Sequence, residues 1–290
     1  MLYGHTAERG TLAQLATRQA LGPAHIFTGP EGIGKKLVAL ELAQTLLCLS
    51  DDTKPCGNCR ECKLIAAKNH PDVLVVEARD TEQWNIEGIR SLLHTLGLKP
   101  FQGKARVIIF NDGENLSAQA VNTLLKCIEE PRPHSYFIVV TQNSNSLLPT
   151  LRSRCQSWFF KPLRAVDMSR ILKSDHFTKV QEELTQVPIE QLAQLAHGSL
   201  ASLENLAQSF DFWEQCCDDL IAISNGDLWR AMQLTEQLKG DKDKLRLAFR
   251  FFRTFAHQQL RESPDAATVG LWGRWIAELL SFENYLFHRN

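Results

Sequence analysis

Gly29-Pro30-Glu31-Gly32-Ile33-Gly34-Lys35-Lys36 constrains the fold of this chain more than any other stretch. A loop of the form Gly, four residues, Gly, Lys, then Ser or Thr wraps a phosphate with backbone N–H groups. The lysine neutralises charge and the hydroxyl holds Mg²⁺. Here Gly29, Gly32, Gly34 and Lys35 are in place, but Lys36 stands where the hydroxyl belongs. The strand-like run Ala24-His25-Ile26-Phe27-Thr28 precedes the loop, and Leu37, Leu40, Ala43 and Leu47 follow it at helical spacing. Strand, glycine turn and helix N-terminus together make an anion site.

Short β-branched or aromatic runs alternate with helical patterns up to about residue 162. The strand candidates are 24–28, 72–77, 106–111, 136–141 and 156–160; the helical spacings between them include Ile86, Ile89, Leu93 and Leu96, then Val121, Leu124, Leu125 and Ile128. Such alternation predicts an α/β fold with a parallel sheet flanked by helices. Beyond Pro162 the strand signals stop. Residues 163–207 read as a small helical unit (Met168, Ile171, Leu172, then Ile189, Leu192, Leu195, Ala196), and 208–290 as a helical bundle. Its aromatic stripe, with Phe249, Phe252, Phe255, Trp272 and Trp275, reads as bundle core rather than as a grip for a base or partner helix, because period-3.6 apolar faces are how helices bury themselves.

A chain of 290 residues accommodates two or three domains. Its 32 basic and 33 acidic residues nearly cancel, so no global field draws it to nucleic acid or an anionic membrane. No signal-like N-terminal segment is evident, and charged residues interrupt the apolar helix candidates before bilayer-spanning length, which gives the expectation of a cytoplasmic protein without membrane contact. In a reducing compartment its eight cysteines are expected as thiols or metal ligands. Cys56, Cys59 and Cys62 follow one another at three-residue spacing, with Cys48 just upstream. Four thiols so placed suit a tetrahedral structural Zn²⁺ site with no open position for water or substrate. The competing reading is a set of free loop thiols.

A loop NTPase also needs acidic residues at the end of a neighbouring strand. Val107-Ile108-Ile109-Phe110 is that strand candidate, but its exit reads Asn111-Asp112, with Glu114 two residues on. Asn111 lacks the charge that would hold the metal, and these polar residues read equally as strand caps.

Asn122-Thr123-Leu124-Leu125-Lys126-Cys127-Ile128-Glu129-Glu130-Pro131, followed by Leu151-Arg152-Ser153-Arg154-Cys155, resembles the clamp-loader branch of the AAA+ family. The resemblance implies an AAA+ P-loop parallel sheet with a zinc-binding insertion at 48–62 (domain 1–162), a helical lid (163–207) and a helical collar (208–290). It makes Arg154 an arginine finger acting in trans on a neighbour's ATP; by residue type alone, Arg154 reads equally as a helix cap. Thr141 takes the place of a γ-phosphate sensor, and Ala201 stands where hydrolysing relatives carry an Arg. The hydroxyl at 36, the carboxylate at 111 and the guanidinium at 201 are thus all missing, which implies a catalytically silent subunit. Nucleotide binding stays open, with no Mg²⁺ requirement expected, since Lys36 beside Lys35 could balance a bound phosphate. Implied partners in a hetero-oligomer are τ/γ and δ subunits, with the sliding clamp and primer-template DNA handled by the assembly. The alternatives are an active P-loop ATPase subunit using Lys35, Asp112 and Glu114, and a zinc-dependent nucleic-acid adaptor.

Overall fold

The computed structural model describes residues 2–77, 100–101, 104–116, 118–174, 192–193, 196, 198–201, 210–262 and 266–287. The helical spacing expected at Ile86–Leu96, together with Ile189 and Leu195, lies outside them. The described chain divides into two compact units, Met1–Lys179 with Pro188–Ser202, and Val180–Val187 with Leu203–Asn290.

The first unit is built on five parallel strands: β1 (Ala24–Thr28), β2 (Val73–Glu77), β3 (Arg106–Asn111), β4 (Ser135–Thr141) and β5 (Gln156–Phe159). Their order across the sheet is β2-β3-β4-β1-β5. Each begins and ends within a residue of the expected position, and the P-loop α/β class expected of the chain is the one found.

Both faces of the sheet are covered, which is why its inner strands read as continuous apolar runs instead of alternating ones. Phe27, Ile109 and Ile138 project to one face, where they meet Leu12, Val38, Ala39 and Leu42. These come from α1 (Thr6–Thr17) and α2 (Lys35–Leu47). Ile26, Ile108, Phe110, Phe137 and Val139 project to the other face, against Val121, Leu124 and Ile128 of α4 (Ala118–Glu129) and Leu151 of α5 (Pro149–Arg152). Between them in sequence lies α3 (Arg60–Ala66).

Three buried polar side chains, Asp72, Arg106 and His25, find partners within this core. Asp72 and Arg106 form an ion pair at 3.0 Å, and the Phe101 N–H donates to the same carboxylate at 2.6 Å. His25 is fully buried; burial holds its pKa below the ordinary value, and its Nδ1 accepts a hydrogen bond from Trp158 Nε1 at 3.1 Å. The first unit continues through α6 (Ala165–Leu172), anchored by the buried Met168 and Leu172.

The second unit consists, among the described residues, of α7 (Phe210–Ser224), α8 (Leu228–Leu238), α9 (Lys242–Glu262) and α10 (Ala266–Phe287). Asp227 caps α8 by accepting from the Arg230 N–H. Phe255 and Trp272 are both buried and meet edge to face at 5.6 Å, and Phe212 lies 6.0 Å from Phe251. The aromatic stripe is therefore bundle core. Among the described residues no helix is long and apolar enough to cross a membrane.

Candidate functional site

Parallel pairing brings the C-terminal ends of the strands to one edge: Thr28 lies opposite Thr141, and Glu77 opposite Asn111. The glycine loop leaves β1 at this edge, where an open α/β sheet usually receives its ligand. Gly29, Gly32 and Gly34 have φ of 148°, 71° and 96°, a region that favours glycine. Side-chain bulk is also excluded, since a Cβ on Gly29 would meet the Phe160 carbonyl at 2.2 Å and one on Gly32 the Ala201 nitrogen at 2.5 Å.

The loop carbonyls are engaged by the chain itself. Lys35 Nζ donates to Gly29 O at 2.7 Å and to Pro30 O at 2.5 Å. Ser199 Oγ donates to Glu31 O at 2.7 Å, and the Leu200 N–H to Gly32 O at 2.9 Å. His5 Nε2 bonds the Ile33 carbonyl at 2.8 Å. Ala201 packs against Gly32.

Lys35 is buried, and burial lowers its pKa to about 8 although the carboxylates of Glu114, Glu31 and Asp112 act to raise it. One oxygen of Glu114, Oε2, is buried without a hydrogen-bond partner. Asp112 takes φ 54° at the turn out of β3. Lys36 turns sideways to form an ion pair with Glu77, whose other carboxylate oxygen accepts from Asn111 Nδ2 at 2.9 Å. Burial acts against the Glu77 charge, but the Lys36 and Asn111 hydrogen bonds outweigh it and hold the carboxyl below its usual range. Lys36 and Asn111 are thus joined through a third side chain. Thr141 is buried and engages its own turn, accepting from the Asn143 N–H at 3.2 Å.

The thirteen-residue α2 starts inside the loop at Lys35 and ends at the cysteine cluster, so the two occupy opposite ends of one helix. Cys48 ends α2, Cys59 caps α3 by accepting from the Cys62 N–H, and Cys62 lies inside α3. The four Sγ atoms of Cys48, Cys56, Cys59 and Cys62 lie within 4.8 Å of one another, with Cys48 and Cys59 at 4.0 Å. Tetrahedral zinc with bonds of about 2.3 Å needs sulfurs roughly 3.8 Å apart, so this donor set fits the ion. Backbone N–H groups of Cys56, Cys59 and Cys62 point at the Cys48, Cys56 and Cys59 sulfurs, the pattern that stabilises thiolate charge. Burial opposes ionisation of Cys59, but N–H groups of Leu49 and Cys62 outweigh it and bring the thiol down to about 6. Burial pushes Cys62 up to about 12.

Arg154 belongs to neither cluster. It precedes β5, whose Gln156 pairs with His25 at the opposite edge of the sheet from the loop. Arg154 sits in the turn before β5, and the strand from Gln156 to Phe159, which pairs with Thr28 at the loop edge, spans about 10 Å at the rise of a parallel strand. The Arg154 Nε forms an ion pair with Glu129 Oε1 at 2.7 Å, and Nη1 donates to Thr150 O at 3.1 Å. The second contact is the helix-capping role that residue type alone suggested; the first was not foreseen.

Glu77, His5, Ser199 and Glu129 were not singled out as site residues from sequence. Glu77 was within reach, since it ends a strand candidate and must share the edge with Asn111. Ser199 and Leu200 act 168 residues from the loop carbonyls they meet, through contacts that no local pattern encodes.

The sequence profile of the family described as "DNA polymerase III, delta subunit" matches residues 5–164. DNA polymerase III subunit delta′ of Haemophilus influenzae is 30% identical over 193 residues, covering 64% of this chain and 59% of that protein. The delta′ subunit of Pseudomonas aeruginosa is 28% identical over 257 residues, covering 88% and 67%. DNA polymerase III subunit tau of Escherichia coli is 28% identical over 288 residues, covering 96% of this chain and 42% of its own length. The chain spans about half to two thirds of the length of the curated delta′ relatives it matches.

Proposed function

This chain belongs to the DNA polymerase III delta′ family of clamp-loader subunits, and we propose that it serves there as an ATPase-silent member that lends Arg154 to a neighbour's ATP. One observation carries the reading: Arg154 is exposed at the sheet edge opposite the chain's own loop, while Lys35, the loop's ammonium, is turned onto the carbonyls of Gly29 and Pro30. A guanidinium so placed serves a phosphate on another subunit far better than one on its own. Its fixed donors match developing charge on a transferring phosphoryl group, an effect worth ~10³ to 10⁵ in rate where such fingers have been dissected.

In this proposal the neighbours are τ/γ and δ subunits, and the assembly places a sliding clamp on primer-template DNA. Residues 163–207 act as a lid and 208–290 as a collar. Zn²⁺ on Cys48, Cys56, Cys59 and Cys62 braces the far end of α2, so the loop helix is held at both ends. Lys36 is already paired with Glu77, which supports a loop that makes no use of Mg²⁺.

Glu114 favours a second reading. Its unpartnered buried oxygen and its attraction for Lys35 are what an improvised metal site in an active ATPase would use. Mg-ATP titration and steady-state turnover on the isolated chain separate the two. The silent subunit gives no metal-dependent turnover; hydrolysis that is lost in Glu114→Gln would establish the ATPase.

A further inference from the structure

We infer that Glu129 is a positioning residue for Arg154: its carboxylate holds the guanidinium ready for a neighbour's phosphate, an inference that rests on the finger reading above. Both residues stand on anchored supports. Glu129 ends α4, directly after the buried Ile128, and Arg154 follows α5, whose Leu151 is fully buried. The two helices pack on the same face of the sheet, which fixes the separation of the two side chains' origins.

The contacts divide the guanidinium in a particular way. Glu129 Oε1 lies 2.7 Å from Nε, while Nη1 donates to Thr150 O at 3.1 Å and to Ser153 Oγ at 3.5 Å. Nη2 has no partner among the described residues, so one end of the fork remains for an outside acceptor. The side chains are 41% and 48% exposed, and an ion pair this open adds little to stability. What it does change is the freedom of a long side chain. Ordering an arginine at the moment of reaction costs entropy that a preset orientation has already met. Because a finger acts chiefly on charge that develops during transfer, the benefit falls on kcat and leaves the neighbour's hold on ATP nearly untouched.

The test is a double-mutant cycle in the reassembled clamp loader, with subunit stoichiometry verified for every variant and the readout DNA-stimulated ATP hydrolysis. Glu129→Ala should lower kcat by about 3- to 10-fold, with KM for ATP unchanged within about twofold. Glu129→Gln, which keeps an oxygen at the same reach, should recover part of the loss. In the Arg154→Ala background, Glu129→Ala should have no further effect, because residues acting through one another are not additive. A normal kcat in Glu129→Ala, or an equal loss in both backgrounds, overturns the positioning role while the finger stands. An Arg154→Ala complex that is fully assembled and fully active removes the finger reading and this inference with it.

Discussion

Lys35 carries a charge into a buried position, and that charge has a pH signature. Burial sets its pKa at about 8, against 10.5 for the same group in water. Between those values the unfolded chain binds the proton more tightly than the folded one, so this group's contribution to stability increases as pH rises from about 8 toward 10.5. Thermal melts of the wild type should accordingly gain on those of Lys35→Met across that window, whereas a constant difference would mean that the ammonium is better solvated than the geometry indicates. Lys36 shows where residue-level reading stops. From sequence it is a second ammonium beside the first, available to a phosphate; in the fold its charge is paired with Glu77, 41 residues away. Which of two adjacent lysines faces a ligand depends on the helix phase and on a strand supplied from elsewhere.

At the level of elements, sequence served well wherever burial set the pattern. Strand positions were readable because a two-sided sheet demands unbroken apolar runs, and the phosphate loop because glycine is the residue that tolerates its backbone. The closure of the loop by Ser199 and Leu200 was not readable, since a hydroxyl and a backbone N–H carry no signature of a partner 168 residues distant. That closure is testable through Gly32→Ala, where a methyl group would press on Ala201 and Ser199 at a φ of 71°. Chemical denaturation should show a loss of roughly 1–3 kcal/mol from backbone strain alone, and more if the segment is displaced; unaltered stability would mean that the contact is loose. The cysteine cluster makes a second prediction for an element. Elemental analysis should find about one zinc per chain, and chelation should expose the segment 48–62 to protease while the strands keep their protection against hydrogen exchange. Metal-free protein equally resistant there would exclude a structural ion.

For the whole molecule, near-neutral charge bears on how it meets DNA. With 32 basic against 33 acidic residues, the isolated chain should give a flat titration with primer-template DNA even at low salt, because neutralising phosphates is the main source of such affinity. Salt-sensitive binding by the isolated chain would revive the adaptor reading. Membership of the delta′ family supports instead the proposed part inside an assembly. The central claim is that phosphate chemistry has passed from the glycine loop of this chain to Arg154. Its most direct test is the single-turnover rate of ATP hydrolysis in the reassembled, DNA-stimulated complex carrying Arg154→Ala, with stoichiometry verified. A fall of at least about tenfold at the adjoining ATP site is expected for a lost finger; an unchanged rate in the intact complex would contradict it.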